Sequence, residues 1–190
     1  MNERFVNELL DRLLYWEIEE GKRLVETGVD ICAIGDDFGM QTGMIISPYL
    51  WKKYFKPRYR KLFRELKKSG DVYIFFHNDG KIEQMIPDLI EIGVDILNPV
   101  QPECMDLIKL KKLYGDKLTF HGTISIQKTL PFGTVEEVKS EVITRIKTLG
   151  YDGGLILAPK QLMHDVPIEN ILTLYDTAKK YGRYPTAHLP

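Results

Sequence analysis

Four histidines, two cysteines and a scatter of carboxylates are the groups in this chain able to move protons or hold a metal. His77 and Asp79 stand two residues apart in His77-Asn78-Asp79-Gly80, directly after the apolar run Val72–Phe76. An imidazole that ends a strand and a carboxylate in the following turn can meet at one mouth, where they suit metal ligation or acid–base work. Read structurally, the same segment is a histidine bonded to a loop carbonyl and an Asp-Gly turn. Asp36 and Asp37 lie in Gly35-Asp36-Asp37-Phe38-Gly39, again after an apolar run. Adjacent side chains of extended backbone diverge, so one of the two is expected to brace the turn while the other faces the site. Lys160, after Ala158-Pro159, is a cation placed to hold a carboxylate-bearing or otherwise anionic substrate, with an exposed loop lysine as the plainer reading. Gln101 and His121 also close apolar runs and join Lys160 as expected substrate-binding residues, although His121 can equally be a hydrogen-bonded core histidine. His164 and His188 read as surface residues.

The elements that must position these groups alternate along the whole chain. Five short runs read as buried strands of a parallel sheet: 29–35, 72–77, 94–100, 118–122 and 154–159. Each follows a helical stretch, and Gly28, Gly70, Gly93, Gly115 and Gly150 fall where left-handed glycines end helices. Ser47 before Pro48 reads as an N-cap, and Thr134 with Glu137 as a capping box. Apolar stripes at helical spacing run from Leu50 to Leu66, with a kink expected at Pro57, and from Val135 to Leu149. In parallel α/β folds ligands gather at the carboxyl ends of the strands, which is where the candidate residues stand.

Composition removes several classes of function. The 190 residues carry 26 basic and 27 acidic side chains, a formal net charge of -1, and 44% hydrophobic residues, as in an ordinary globular domain. Bulk attraction to nucleic acid or an anionic membrane has no support in that balance. The stretch 52–68 holds nine basic residues and one acid, but they interleave with an apolar stripe and read as the outer face of a helix. Cys32 and Cys104 make no CxxC and no disulfide framework. No apolar run reaches the roughly 20 residues that span a bilayer, and the charged N-terminus has no secretory pattern, so a cytoplasmic protein is expected. GxGxxG, GxxxxGK[ST] and GxSxG are all absent.

The blocks GDDFGMQTGMIISPYLWKKYFKP, FFHNDGKIEQMIPDLIEIGVDILNPVQPE, LTFHGTISIQKTLPFGTVEEV, GGLILAP and DVPIENI together resemble the uroporphyrinogen decarboxylase family. The resemblance covers residues 25–182 and implies a TIM-type (β/α)₈ barrel. That family also holds methylcobamide:coenzyme M methyltransferases and related corrinoid-dependent enzymes. Five strands of the eight imply a partial barrel, one domain over 1–190 that is N-terminally incomplete, to be completed by a longer gene product, a partner chain or a second copy. A flavodoxin-like doubly wound domain would also give five strands, but the DxHxxG loop of its corrinoid-binding members is missing.

The resemblance carries two activities. Its decarboxylases need no cofactor, keep the Asp-Gly matching Asp79-Gly80 and have a small residue where this chain has His77. Its methyltransferases hold zinc with a His-x-Cys pair and a distant cysteine. Here the histidine is kept as His77, Asp79 replaces the first cysteine, and Ala158-Pro159-Lys160 lies near the second; a third departure is Ser125, near which the family commonly has an aspartate. His77 favours the methyltransferase-like branch, with His77, Asp79 and an aspartate of the GDDFG loop as zinc ligands and a small molecule or corrinoid protein as substrate. The cofactor-free decarboxylase of porphyrin biosynthesis is the second expectation, and a non-catalytic, truncated or barrel-completing subunit the third.

Overall fold

The computed structural model describes residues 2–184; His188 lies outside them. α1 (Glu3–Glu26) leads into β1 (Ile31–Gly35), and after a loop come α2 (Pro48–Leu50), a π-helical turn (Trp51–Phe55) and α3 (Lys56–Ser69). β2 (Tyr73–His77), α4 (Ile86–Ile92), β3 (Ile96–Asn98), α5 (Leu107–Tyr114) and β4 (Thr119–His121) follow. The chain then forms α6 (Thr129–Phe132), α7 (Val135–Leu149), β5 (Leu155–Ile156) and α8 (Ile168–Tyr181). All five strands pair in parallel, in the order β1-β2-β3-β4-β5. Each strand lies beside its sequence neighbours, the progression of a barrel wall; a doubly wound sheet reverses direction partway. The fold is a partial (β/α) barrel, and the flavodoxin-like alternative is excluded.

Alternation along the strands divides the sheet into two faces. Cys32, Ile74, Phe76, Leu97 and Phe120 point to the helical layer and belong to its core. Ile31 and Tyr73, on the inner face, remain 43% and 61% exposed. Apolar side chains of a barrel interior normally meet those of the opposite wall; here five strands leave the inner face open.

The helix ends follow simple chemistry. Ser47 Oγ accepts from the Leu50 N–H, and Thr134 and Glu137 form the full capping box. All five expected glycines stand at helix ends, but only Gly28 and Gly93, of the twice-used Gly-Val-Asp-Ile, have left-handed backbone; the rest close their helices without it. A kink is expected at Pro57; that residue falls in the first turn of α3, directly after the π-helical turn. Proline cannot donate its nitrogen to the turn before it, and the wider π-turn at Trp51–Phe55 absorbs the mismatch before α3 begins. Several basic residues of this segment are met by acids: Lys53 by Glu3 at 2.8 Å, Lys56 by Asp88 at 2.6 Å, Arg58 by Asp11 at 2.7 Å and Lys67 by Asp95 at 2.7 Å. They staple the outer helices together.

Two loops at the carboxyl rim dock on each other. Phe38 packs in T-shaped contact against both Trp51 and Phe55, with ring centroids 5.1 and 5.0 Å away, and anchors the loop after β1. The turn after β2 presses against it at Gly39 and Gly80. A Cβ on Gly39 would lie 2.3 Å from the Asp79 carbonyl oxygen, and one on Gly80 2.7 Å from Gly39 and Met40 backbone. Gly80 also has φ +81°, left-handed backbone that costs other residues energy. Gly80→Ala is therefore expected to destabilise the chain by about 2–3 kcal/mol. Gly43→Ala, in the same loop but with open space around its Cβ, should stay within about 0.5 kcal/mol of the parent. Denaturant unfolding followed by circular dichroism checks the pair; equal losses would mean that the two loops are not wedged together.

Candidate functional site

The register carries the site residues to one rim. Gly35 pairs with His77, and His77 with Asn98, so three strand ends lie in a row on the inner face. The ladder runs one step further, the Asp36 N–H donating to the His77 carbonyl at 3.1 Å and the Asn78 N–H to the Asn98 carbonyl at 2.7 Å. Asp37 enters from the docked loop, where its Oδ1 accepts the Asp79 N–H at 2.9 Å. The His77 Nε2 lies 3.9 Å from both Asp37 Oδ1 and Asp79 Oδ2. Asp37, His77 and Asp79 each place a potential ligand atom within 4.8 Å of the others, and theirs is the one such trio among the described residues.

Charge around the trio is partly compensated. Lys160 reaches across from the segment after β5 and hydrogen-bonds Asp79 Oδ2. The other oxygen, Asp79 Oδ1, is buried with no hydrogen-bond partner among the described residues. A buried carboxylate oxygen without a partner is costly, and a cation is one group able to satisfy it. One imidazole nitrogen and two carboxylates are a donor set that zinc accepts, with a coordination position left over for another ligand. The residues present therefore fit the ion, on condition that Lys160 shares Asp79 with it.

A second layer fixes the first. His77 Nδ1 is 2.6 Å from Asn98 Oδ1, and Asn98 Nδ2 is 2.6 Å from His121 Nδ1. His121 is half-buried against the edge of Phe75, ring centroids 5.1 Å apart, and burial lowers its pKa below the ordinary histidine range. Gln101 is buried, and its Oε1 accepts the Gly80 N–H at 2.6 Å, holding the turn that carries Asp79.

The two adjacent aspartates part company as the extended backbone requires. Asp37 joins the trio, whereas Asp36 accepts a hydrogen bond from the Tyr59 hydroxyl. It faces an outer cavity of about 340 Å³ between α1, β1 and α3. Burial, and then Asp36, push the pKa of Tyr59 well above the tyrosine range and keep the hydroxyl a donor. His164 is exposed. The residue that sequence reasoning missed is Asn98. Its signal was a polar side chain inside the run 94–100, at a position that alternation assigns to the inner face. Tyr59 was hidden as well, since its spacing matches an ordinary core stripe.

The uroporphyrinogen decarboxylase (URO-D) family model matches residues 1–181 and so includes α1. A uroporphyrinogen decarboxylase of Trichodesmium erythraeum (strain IMS101) is 22% identical over 160 residues, which make up 82% of this chain and 42% of that protein. A methyltransferase structure from Methanosarcina mazei superposes with a TM-score of 0.76 at 21% identity, covering 96% of this chain and 51% of that one. The chain thus spans about half the length of these relatives, and the structural likeness is one of fold. No helix among the described residues is long and apolar enough to cross a membrane. A match over nearly the whole length, with parallel strands in barrel order, makes the chain a member of the uroporphyrinogen decarboxylase family.

Proposed function

We propose that this chain is a zinc-binding, methyltransferase-like member of its family, acting on a methyl group delivered by a corrinoid protein. The observation that carries this reading is the convergence of Asp37, His77 and Asp79 at the carboxyl rim, with one buried Asp79 oxygen unpartnered. Asp37, His77 and Asp79 are the proposed ligands. Zinc held there supplies Lewis acidity that lowers the pKa of a coordinated acceptor such as a thiol. The protein's own part is to hold the imidazole and the two carboxylates in place and to keep Lys160 at the edge, where its charge can orient an anionic acceptor. Gln101 and His121 act behind that edge, the first on the turn and the second through Asn98, while Asp36 takes the bracing role beside Tyr59.

A second reading is favoured by the Lys160–Asp79 ion pair, which neutralises a carboxylate without any metal. In it the rim is a cofactor-free decarboxylase site, with Lys160 binding a substrate carboxylate and Asp79 serving acid–base steps. A third concerns assembly. The open inner face, with Ile31 and Tyr73 exposed, supports completion of the barrel by further strands, from a companion chain or from another copy of this one, and activity is proposed for that completed assembly.

The purified chain is expected to hold about one zinc per chain by elemental mass spectrometry, with His77→Ala reduced to background when prepared identically. Zinc absent from both would remove the metal reading and leave the decarboxylase one. Lys160→Met should tighten zinc binding by about tenfold in a competition titration, since it removes the cation that shares Asp79 Oδ2. An unchanged affinity would show that ammonium and metal do not compete. Native mass spectrometry should find the chain as a dimer or larger assembly, because an exposed apolar sheet face favours association; a stable, cooperatively folding monomer would contradict completion in trans.

A further inference from the structure

Asn98 touches both histidines of the inner face, and the chemistry of a primary amide limits what those contacts can be. One end of the side chain only accepts and the other only donates. The two Nδ1 atoms it meets, 2.6 Å away on either side, must therefore be in opposite states. Its oxygen faces His77, so His77 Nδ1 carries a proton and donates; its nitrogen faces His121, so His121 Nδ1 is bare and accepts. In the neutral ring this leaves His77 Nε2 with a free lone pair, on the side where Asp37 and Asp79 wait at 3.9 Å. Asn98 is 3% exposed on a central strand, and its backbone carbonyl is held by the Asn78 N–H at 2.7 Å.

We propose that Asn98 is the positioning residue of the site: it selects the Nδ1–H tautomer of His77, thereby presenting Nε2 as a ligand or base, and imposes the opposite tautomer on His121. The two histidines then form one unit. His121 needs no contact with substrate to matter, because the state of its Nδ1 decides which way the Asn98 amide lies, and the amide decides which nitrogen of His77 is available. Outer partners of this kind fix the ring orientation and tautomer of ligating histidines in general.

The test has two arms, and only the second rests on the metal reading above. In the first, the full chain, labelled with ¹⁵N at histidine and freed of metal by chelator, is examined by long-range ¹H–¹⁵N NMR at about pH 8.5, above the ordinary histidine range. The expected signature is Nδ1–H for His77 and Nε2–H for His121. Nε2–H at His77 would overturn the proposal, and so would the same tautomer on both rings. Asn98→Leu should abolish the Nδ1–H signature at His77; its persistence would also overturn the assignment. In the second arm the same variant should bind zinc roughly 10- to 100-fold more weakly, and unchanged affinity would show that the tautomer does not serve the site. If Asn98→Leu does not fold, the spectrum of the unmodified chain still decides the tautomers. A parent chain that binds no zinc but shows the expected spectrum would remove the metal reading and leave the proposal standing.

Discussion

In-register parallel pairing sets Gly35, His77 and Asn98 side by side on the inner face of the sheet, and the candidate site depends on that row. Gly35 leaves the space that His77 occupies, since a Cβ there would lie 2.7 Å from the His77 Cβ. With period-two alternation, a slip of one residue on β2 would turn His77 into the helical layer and bring Phe76 to the rim. The fully buried Phe76, edge-on to Tyr59 at a centroid distance of 5.3 Å, opposes such a slip. The aromatic core on one side of the sheet thus specifies the chemistry on the other.

From that row outward, each further group is placed by a local device. Phe38, pinned among the aromatic rings of the π-turn, brings Asp37 to the rim and sends Asp36 to Tyr59. The Gly39–Gly80 contact and the Gln101 amide set the turn that carries Asp79. Lys160 arrives last, from the segment after β5, and brings a positive charge to Asp79. A site assembled from four strand ends is typical of barrel enzymes, where function lies on the rim and stability beneath it.

Much of this was legible beforehand for physical reasons. Buried strands must be apolar and short, so their five runs stood out, and the polar residues that end or follow them marked the rim: His77, Asp79, Lys160 and the pair Asp36-Asp37. The partners were not legible. Asn98 lies 21 residues from His77 and 23 from His121, and nothing in sequence spacing says that three strand ends share a row until the pairing is known. The division of labour between Asp36 and Asp37 was expected from backbone geometry, but which of them faces inward depends on where Phe38 is buried. Tyr59 could not be told from its neighbours in the stripe, since a buried tyrosine differs from phenylalanine only by the bond its hydroxyl makes. Gln101 was picked out from its place at a strand end, but spacing could not show that its amide oxygen accepts the Gly80 N–H.

In the proposed reading, zinc at the rim would be held by imidazole and carboxylate, the donors that Asp37, His77 and Asp79 bring together. X-ray absorption at the zinc edge of the zinc-loaded full chain tests it most directly. The expected first shell contains nitrogen and oxygen alone, at about 2.0–2.2 Å, with the outer-shell scattering of one imidazole that disappears in His77→Ala. A sulfur neighbour at about 2.3 Å, or a shell of water without imidazole, would contradict the account.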